Sequence, residues 1–545
     1  MKMITNRIIK VSLFLFVFSM FFSCKKLTEI NINPNGTTPE KVNPTFLMTG
    51  VLTGAAKSYL QIGFDDPFPG VMQQTQKDAW SSGNNDYDWS DQSWDGYYGL
   101  LRNNKVAYDR AEQEGNNFIM GVSLTMKSFI FGLITDLWGD APYSNALNGD
   151  KGGAENLLPA YDAQKDIYTG IISDLKAASD LFTKGNTGAA SWDVYYNGKA
   201  DKWQKFANSL LLRYYMRISE KLPDIAKDGI EDVVASGIYF KSTDDDATMD
   251  FIGNNGDNSW PDNLEFDGTN GSNFRRIKMW ATFVNTLESY NDPRLGVWAA
   301  KVQIPIVISA TQSPNPDIII NGVRYIHPDA IPAGTLVDTD PDYVGIPPSL
   351  GSEPSFYNLN PTPGKLSNNP HVSFLNDIYK EASGPLLKAR LQSYAEVSFI
   401  LAEAALKGWS VGADAKTYYE NGVRASLDTW GVGSDYSNYI NEPLVKFDGT
   451  QKQIITQKWV ASWSASEEAW FDYRRTGYPD LQAGPFAKRK KLPVRYIYSS
   501  NELNLNSANI QKALDNLEET NFSGPQGANS PWSKPWIIQG TNKPW

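Results

Sequence analysis

The sequence predicts a mainly α fold in which paired helices support a loop-rich face with a few short strands. Three observations predict it. Apolar residues recur at three- and four-residue steps in several long stretches, the signature of amphipathic helices packed on neighbours. A helix–turn–helix pattern with small residues at its crossing lies between Leu391 and Trp430. Between about 240 and 380 the stripes thin out and Pro, Gly, Asn and Asp accumulate, which is the pattern of irregular chain.

The amino terminus comes first. Lys2, Arg7 and Lys10 precede an apolar run from Val11 to Phe22, which Ser23 and Cys24 interrupt. A positive region, a short apolar region and a small residue before the cut make an export signal. The run is shorter than the ~20 residues that span a bilayer, and no later segment reads as long and apolar enough to do so. Cys24 is the only cysteine in 545 residues and stands where a bacterial lipoprotein leader places the residue that is cleaved and acylated. A single cysteine excludes internal disulfides, so an exported chain of this kind must hold together by its core. Residues 1–23 therefore read as a lipoprotein signal peptide and 24–44 as lipid anchor and tether, with Asn-Pro and Asn-Gly turn pairs between Leu27 and Gly36. Residues 45–545 read as one body with an irregular insertion at about 240–380.

The formal charge is -11, and losing Lys2, Arg7 and Lys10 makes it -14, because Met1 to Ser23 contains no acidic residue. Such a chain is a poor partner for nucleic acid or an anionic lipid surface.

The helical stripes follow in order. Phe118, Val122, Met126, Phe129 and Leu133 draw one, and Ile167, Tyr168, Ile171, Ile172, Leu175 and Ala178 the next. Trp203, Phe206, Ala207, Leu210, Leu211, Tyr214 and Ile218 draw a third. In the hairpin, Tyr394, Val397, Ser398, Leu401, Ala404 and Ala405 face Tyr419, Gly422, Val423, Ser426, Leu427 and Trp430 across a turn from Lys407 to Ala415. This hairpin resembles a tetratricopeptide unit with loose spacing. Ile454, Ile455, Trp459, Ser462 and Trp463 mark a further helix. In the irregular region, Val302 to Ser309 and Ile318 to Ile326 read as strands, with Asn321-Gly322 as a hairpin turn.

Seven segments in order carry a family resemblance: TDLWGDAPY (Thr135 to Tyr143), Pro159 to Leu175, Lys202 to Ser219, NDPRL (Asn291 to Leu295), YVGIPPS (Tyr343 to Ser349), the LAEAALKGW hairpin, and EEAWFDYRRTGYP (Glu467 to Pro479). Behind a lipoprotein-like leader, the chain resembles the SusD/RagB family of outer-membrane nutrient-binding lipoproteins over nearly its whole length. The resemblance implies tetratricopeptide-like helix pairs, a membrane anchor at Cys24 and display on the outer membrane. It also implies a SusC-like TonB-dependent transporter as partner, and ligand binding rather than catalysis.

The arginines of these motifs read as internal. Arg474 and Arg475 have Glu467, Glu468 and Asp472 beside them, and Arg294 follows Asp292-Pro293 in a turn. Ligand contact is expected instead where aromatic residues stand in polar, irregular sequence. Trp80, Tyr87, Trp89 and Trp94 lie among Gly, Asn, Ser and Asp between Trp80 and Tyr98. Flat rings there would stack on sugar faces while amides and carboxylates bond the hydroxyls. Trp94, Tyr97 and Leu101 are also at helical spacing, which would turn Trp94 toward the core. The second candidate segment, Asn254 to Phe274, carries Trp260, Asp262 and Phe266.

An oligosaccharide is the leading ligand; a peptide or other nutrient on the same scaffold is the alternative. A secreted glycoside hydrolase is a third reading, since two carboxylates suffice for that reaction. His327 and His371, the only histidines, read as loop residues without metal or triad spacing. Asp244 to Asp250 and Asp338 to Asp342 lack the glycine-bearing spacing of an EF-hand, so no metal and no cofactor are expected.

Overall fold

Asn43 caps the first helix through its side-chain oxygen, which accepts from the Thr45 amide at 3.0 Å, and Pro44 opens it with a preset φ. This is α1 (Pro44–Leu60) in the computed structural model, which describes residues 42–65, 67–77, 86–185, 190–266, 272–313, 317–350, 354–362, 365–485 and 487–545. Cys24 and Trp80 lie outside those residues.

α2 (Asp95–Glu114) ends on Gly115 at φ 68°, α3 (Asn117–Trp138) is capped by Asn116, and α4 (Gln164–Thr183), α5 (Ala200–Arg217) and α6 (Pro223–Ser236) follow. Each packs on the one before it. The stripes read at Phe118 to Leu133, Ile167 to Ala178 and Trp203 to Ile218 fall on α3, α4 and α5 and are buried. The expected hairpin is α7 (Tyr394–Leu406) and α8 (Ala415–Thr429); α9 (Gln451–Ala461) and α10 (Ser466–Thr476) pack on after it. These helix pairs are the tetratricopeptide-like scaffold.

One expectation from the sequence fails here. α3 has a mean hydropathy of 1.7 and is long and apolar enough to cross a membrane. It is instead a core helix, covered by α1, α2, α4 and α5. Glycines let the helices approach. A Cβ on Gly132 of α3 would come within 2.0 Å of the Tyr214 phenol oxygen on α5, and one on Gly422 of α8 within 2.9 Å of the Phe399 ring on α7.

The strands are short. β1 (Thr75–Lys77) pairs antiparallel with β3 (Ile277–Met279), and β2 (Ala247–Asp250) with β7 (Lys388–Gln392). A three-stranded sheet has β4 (Ile306–Ile308) parallel to β6 (Val323–Ile326), with β5 (Asp317–Ile320) antiparallel to β6 across Asn321 and Gly322, whose φ are 52° and 80°. The expected hairpin turn is therefore present. Of Val302 to Ser309, only Ile306 to Ile308 form a strand. The helix Ala281–Ser289 interrupts the region that the sequence left irregular.

Buried ion pairs tie the helices together. Arg213 on α5 holds Glu396 of α7 with both nitrogens at 2.7 and 2.6 Å, and Arg217 holds Glu468 of α10 at 2.6 Å. Arg475 grips Glu403 at 2.5 and 2.7 Å and Asp472 at 3.0 Å, while Arg474 donates to the Asp136 carbonyl of α3 at 2.7 Å. The motif arginines are thus internal, as read, although Glu468 serves α5 rather than its own neighbours. Arg294 is fully buried and chelates Asp292 while donating to Ser426 and Tyr439, which locks the NDPRL turn onto α8. His371 is not a loop-surface residue: it is buried, with Nδ1 2.6 Å from the Ile304 carbonyl oxygen, and burial lowers its pKa.

Candidate functional site

After Leu60, α1 widens into a π-helical turn, Gln61–Asp65, a geometry that often marks functional positions because it re-aims side chains. Asp65 at its end meets Lys77, the last residue of β1, at 2.9 Å. Lys77 also meets Asp262 at 2.8 Å. Asp262 stands at φ 61° in a loop that backbone bonds pin from below. The Trp260 amide donates to the Ala382 carbonyl at 2.7 Å and the Leu264 amide to the Lys380 carbonyl at 2.9 Å.

Two carboxylates on one ammonium leave one negative charge over. Burial, and then the Asp65 carboxylate, push the Asp262 carboxyl up to about 7, against the pull of Lys77. Burial would depress the Lys77 ammonium, but the two carboxylates outweigh it and raise its pKa. One oxygen of Asp262, Oδ2, is buried without a hydrogen-bond partner. Leu264, two residues on, lines a cavity of about 280 Å³ together with Phe274 and Phe374 as apolar walls and with Lys301, Asp377 and Lys380. Such a mixture of apolar wall and convergent polar groups suits a small polar ligand.

The aromatic residues expected to contact ligand are placed differently. Tyr87 and Trp260 are fully buried, Trp89 is 3% exposed and Trp94 6%. Trp260 packs against Phe64, Phe251 and Tyr379, with centroids 5.0 to 5.8 Å away. Trp89 lies among Phe68, Trp470 and Tyr496, and Trp94 rests on Trp138 just before α2 begins. The Tyr87 hydroxyl accepts from the Gln73 side chain at 3.4 Å. These four rings are corrected to loop anchors: burying 150–250 Å² of aromatic surface repays ordering a polar loop better than leaving the ring in water. Of the remaining candidates, Asp262 enters the charged cluster and Phe266 is half-buried on the loop rim. No pattern in the sequence points to Asp65 or Lys77, because Lys77 and Asp262 are 185 residues apart and no local period joins them.

Residues 34–305 and 338–499 match a SusD-like family described as starch-binding and associating with the outer membrane. The chain belongs to the SusD-like family. Among curated protein sequences none matches it. Solved structures share the SusD-like fold over 91% of this chain. They include a chitin-binding protein (23% identical, all of that chain, TM-score 0.70) and a candidate nutrient-binding outer-membrane protein from Bacteroides vulgatus (24%, all of that chain, TM-score 0.69). A SusD homologue from Bacteroides fragilis is 21% identical over 99% of its chain, with a TM-score of 0.68. At these identities the likeness establishes the mainly α architecture of this SusD-like protein.

Proposed function

We propose that this SusD-like protein captures an oligosaccharide on its loop-rich face and passes it to a SusC-like TonB-dependent transporter, without cleaving it. The observation that carries the reading is a cavity of about 280 Å³ walled by Leu264, Phe274 and Phe374, with Lys301, Gln303, Asp377 and Lys380 in its lining. Sugar hydroxyls can donate to the Asp377 carboxylate and the Gln303 amide oxygen of that lining, and the C–H face of a pyranose suits an apolar wall. A chitin-binding protein of the same fold makes glycans the first class to test. Acylation at Cys24 would hold the protein at the outer membrane with this face available to ligand.

Calorimetric titration with a panel of glycan and peptide oligomers, with cleavage scored separately by chromatography, tests the reading. Glycan binding without cleavage, weakened about tenfold by Asp377→Ala, is the expected result. Binding of peptides alone would favour peptide capture instead. Bond cleavage abolished by one carboxylate substitution would make the protein a glycoside hydrolase. Cys24→Ser is expected to move the protein from the membrane to the soluble fraction, and retention on the membrane would refute the anchor.

A further inference from the structure

The ring of His371 ties the three-stranded sheet to the body of the molecule. β4, β5 and β6 fall between the two stretches that match the SusD-like family, and His371 lies within the second of them. Its Nδ1 stands 2.6 Å from the Ile304 carbonyl oxygen, and its Nε2 2.9 Å from Nη1 of Arg324 on β6. A carbonyl only accepts and a guanidinium only donates, so Nδ1 carries the proton and Nε2 offers its lone pair. One tautomer of the neutral ring satisfies both contacts, and the protonated ring cannot. Arg324 in turn donates to the Leu359 carbonyl at 2.6 Å and holds Asp317 of β5 through Nε at 3.0 Å and Nη2 at 2.6 Å. A single guanidinium therefore joins β5, β6 and the body.

Protonation would set donor against donor and cation against cation at that 2.9 Å contact. The residue is held in place: it is 2% exposed, its amide donates to Asn369 and its carbonyl accepts from Asn358. Burial above all lowers its pKa; the Ile304 carbonyl opposes this, Arg324 adds to it, and Asp317 opposes it from behind Arg324. The segments bonded to it, 302–306 and 354–360, bring no charged side chain, and Tyr357 is their one titratable group. Asp317 stays charged throughout, because its bond from Arg324 holds its pKa below the usual value. A folded pKa below the ~6.5 of a free histidine means that the ring stabilises the seated sheet fully above pH ~6.5, and less as the pH falls toward the folded value. Glu288, on the helix Ala281–Ser289, works the other way: burial and then Asp340, Asp338 and Asp342 push it up to about 7, so acid relieves its repulsion.

We infer that His371 is a pH-sensitive latch: as the neutral ring it accepts from Arg324 and keeps β4, β5 and β6 seated on the body, and as the imidazolium it repels Arg324 and lets the sheet open while the helices stay folded. Strands of three or four residues have few bonds to lose, and elements of that size open locally before a helical core does. Neither state depends on which ligand the protein binds.

Hydrogen–deuterium exchange read by mass spectrometry and corrected for intrinsic rates follows β4 to β6, with α3 and α5 as reference, between about pH 7.5 and 5. In the parent, opening of the sheet is expected to rise by up to about tenfold per pH unit below pH ~6.5, with α3 and α5 unchanged. His371→Gln, whose amide offers a donor and an acceptor but takes no proton, is expected to remove that dependence. His327→Gln, at the only other histidine, is expected to leave it as in the parent. Nitrogen NMR of the histidine rings in the parent gives a reading that needs no variant to fold. It is expected to show His371 as the neutral Nδ1–H form at about pH 7.5, gaining its proton over the range in which the sheet opens. Sheet exchange independent of pH, the same dependence in His371→Gln, its loss in His327→Gln, or a charged or Nε2–H His371 ring at about pH 7.5 overturns the inference.

Discussion

Glu468→Gln is expected to destabilise the scaffold by about 3 kcal/mol, the low end of the range for breaking one partner out of a buried ion pair. The parent carboxylate serves three groups. Oε1 lies 3.1 Å from the Tyr59 hydroxyl and 3.3 Å from Arg213, and Oε2 lies 2.6 Å from Arg217. Arg213 keeps both bonds to Glu396 after the substitution, so it stays paired. Arg217 keeps only Asp136, at 3.7 Å, and its side chain is 4% exposed, so the loss falls there. Gln retains the volume and one accepting oxygen, which sets the estimate near the bottom of the range rather than the top. Burial works against the Glu468 carboxylate, but Arg213 and Arg217 hold its pKa below the usual value, which is the same coupling seen from the acid's side. Urea unfolding followed by tryptophan fluorescence and far-UV circular dichroism measures the change. A double-mutant cycle with Arg217→Met isolates the pair and is expected to give a coupling of about 2 kcal/mol. A Gln variant within about 1 kcal/mol of the parent, or additive single effects, would refute the claim that this pair clamps α10 to α5.

Three further outcomes follow from the same geometry. The folded pKa of Asp262, about 7, lies above the ~3.9 of an unfolded aspartate, so its contribution to stability is full below pH ~4 and fades as pH rises through 7. Asp262→Asn is therefore expected to exceed the parent in stability at pH 8 by on the order of 1 kcal/mol and to match it near pH 4, as thermal unfolding at both values will show. Trp260→Ala is expected to cost about 3–5 kcal/mol in chemical denaturation; a variant as stable as the parent but unable to bind glycan would return that ring to ligand contact. Gly132→Ala drives a methyl into Tyr214 and is expected to cost about 1–3 kcal/mol, whereas Gly50→Ala on the open face of α1 is expected to be neutral or stabilising, both by urea unfolding.

Much of the scaffold was legible because its information is local. A stripe such as Ile167 to Ala178 states in twelve residues which side of α4 is buried, and the hairpin at Leu391 to Trp430 states its own partner. Asn321-Gly322 was legible for the same reason. The loop face was less so. Trp89, Trp94 and Trp260 sit in polar sequence, and composition cannot tell a ring that faces water from one that turns under to meet Phe68, Trp138 or Phe64. The Asp65, Lys77 and Asp262 cluster joins the end of α1 and β1 to a loop 185 residues beyond Lys77, a long-range fact. α3 went unread for another reason: the reading of the sequence passed over its length and apolar composition, which a helix wrapped on all sides by protein needs as much as one wrapped by lipid.

Fastening each loop by an indole turned inward separates what keeps the segment in place from what it presents to the medium. Leu264 and Phe266, which are not buried, can be exchanged for other side chains while Trp260 keeps its seat between Phe64 and Tyr379. That makes the loop a natural cassette for redesign: new specificities can be grafted at those two positions with the interior left untouched.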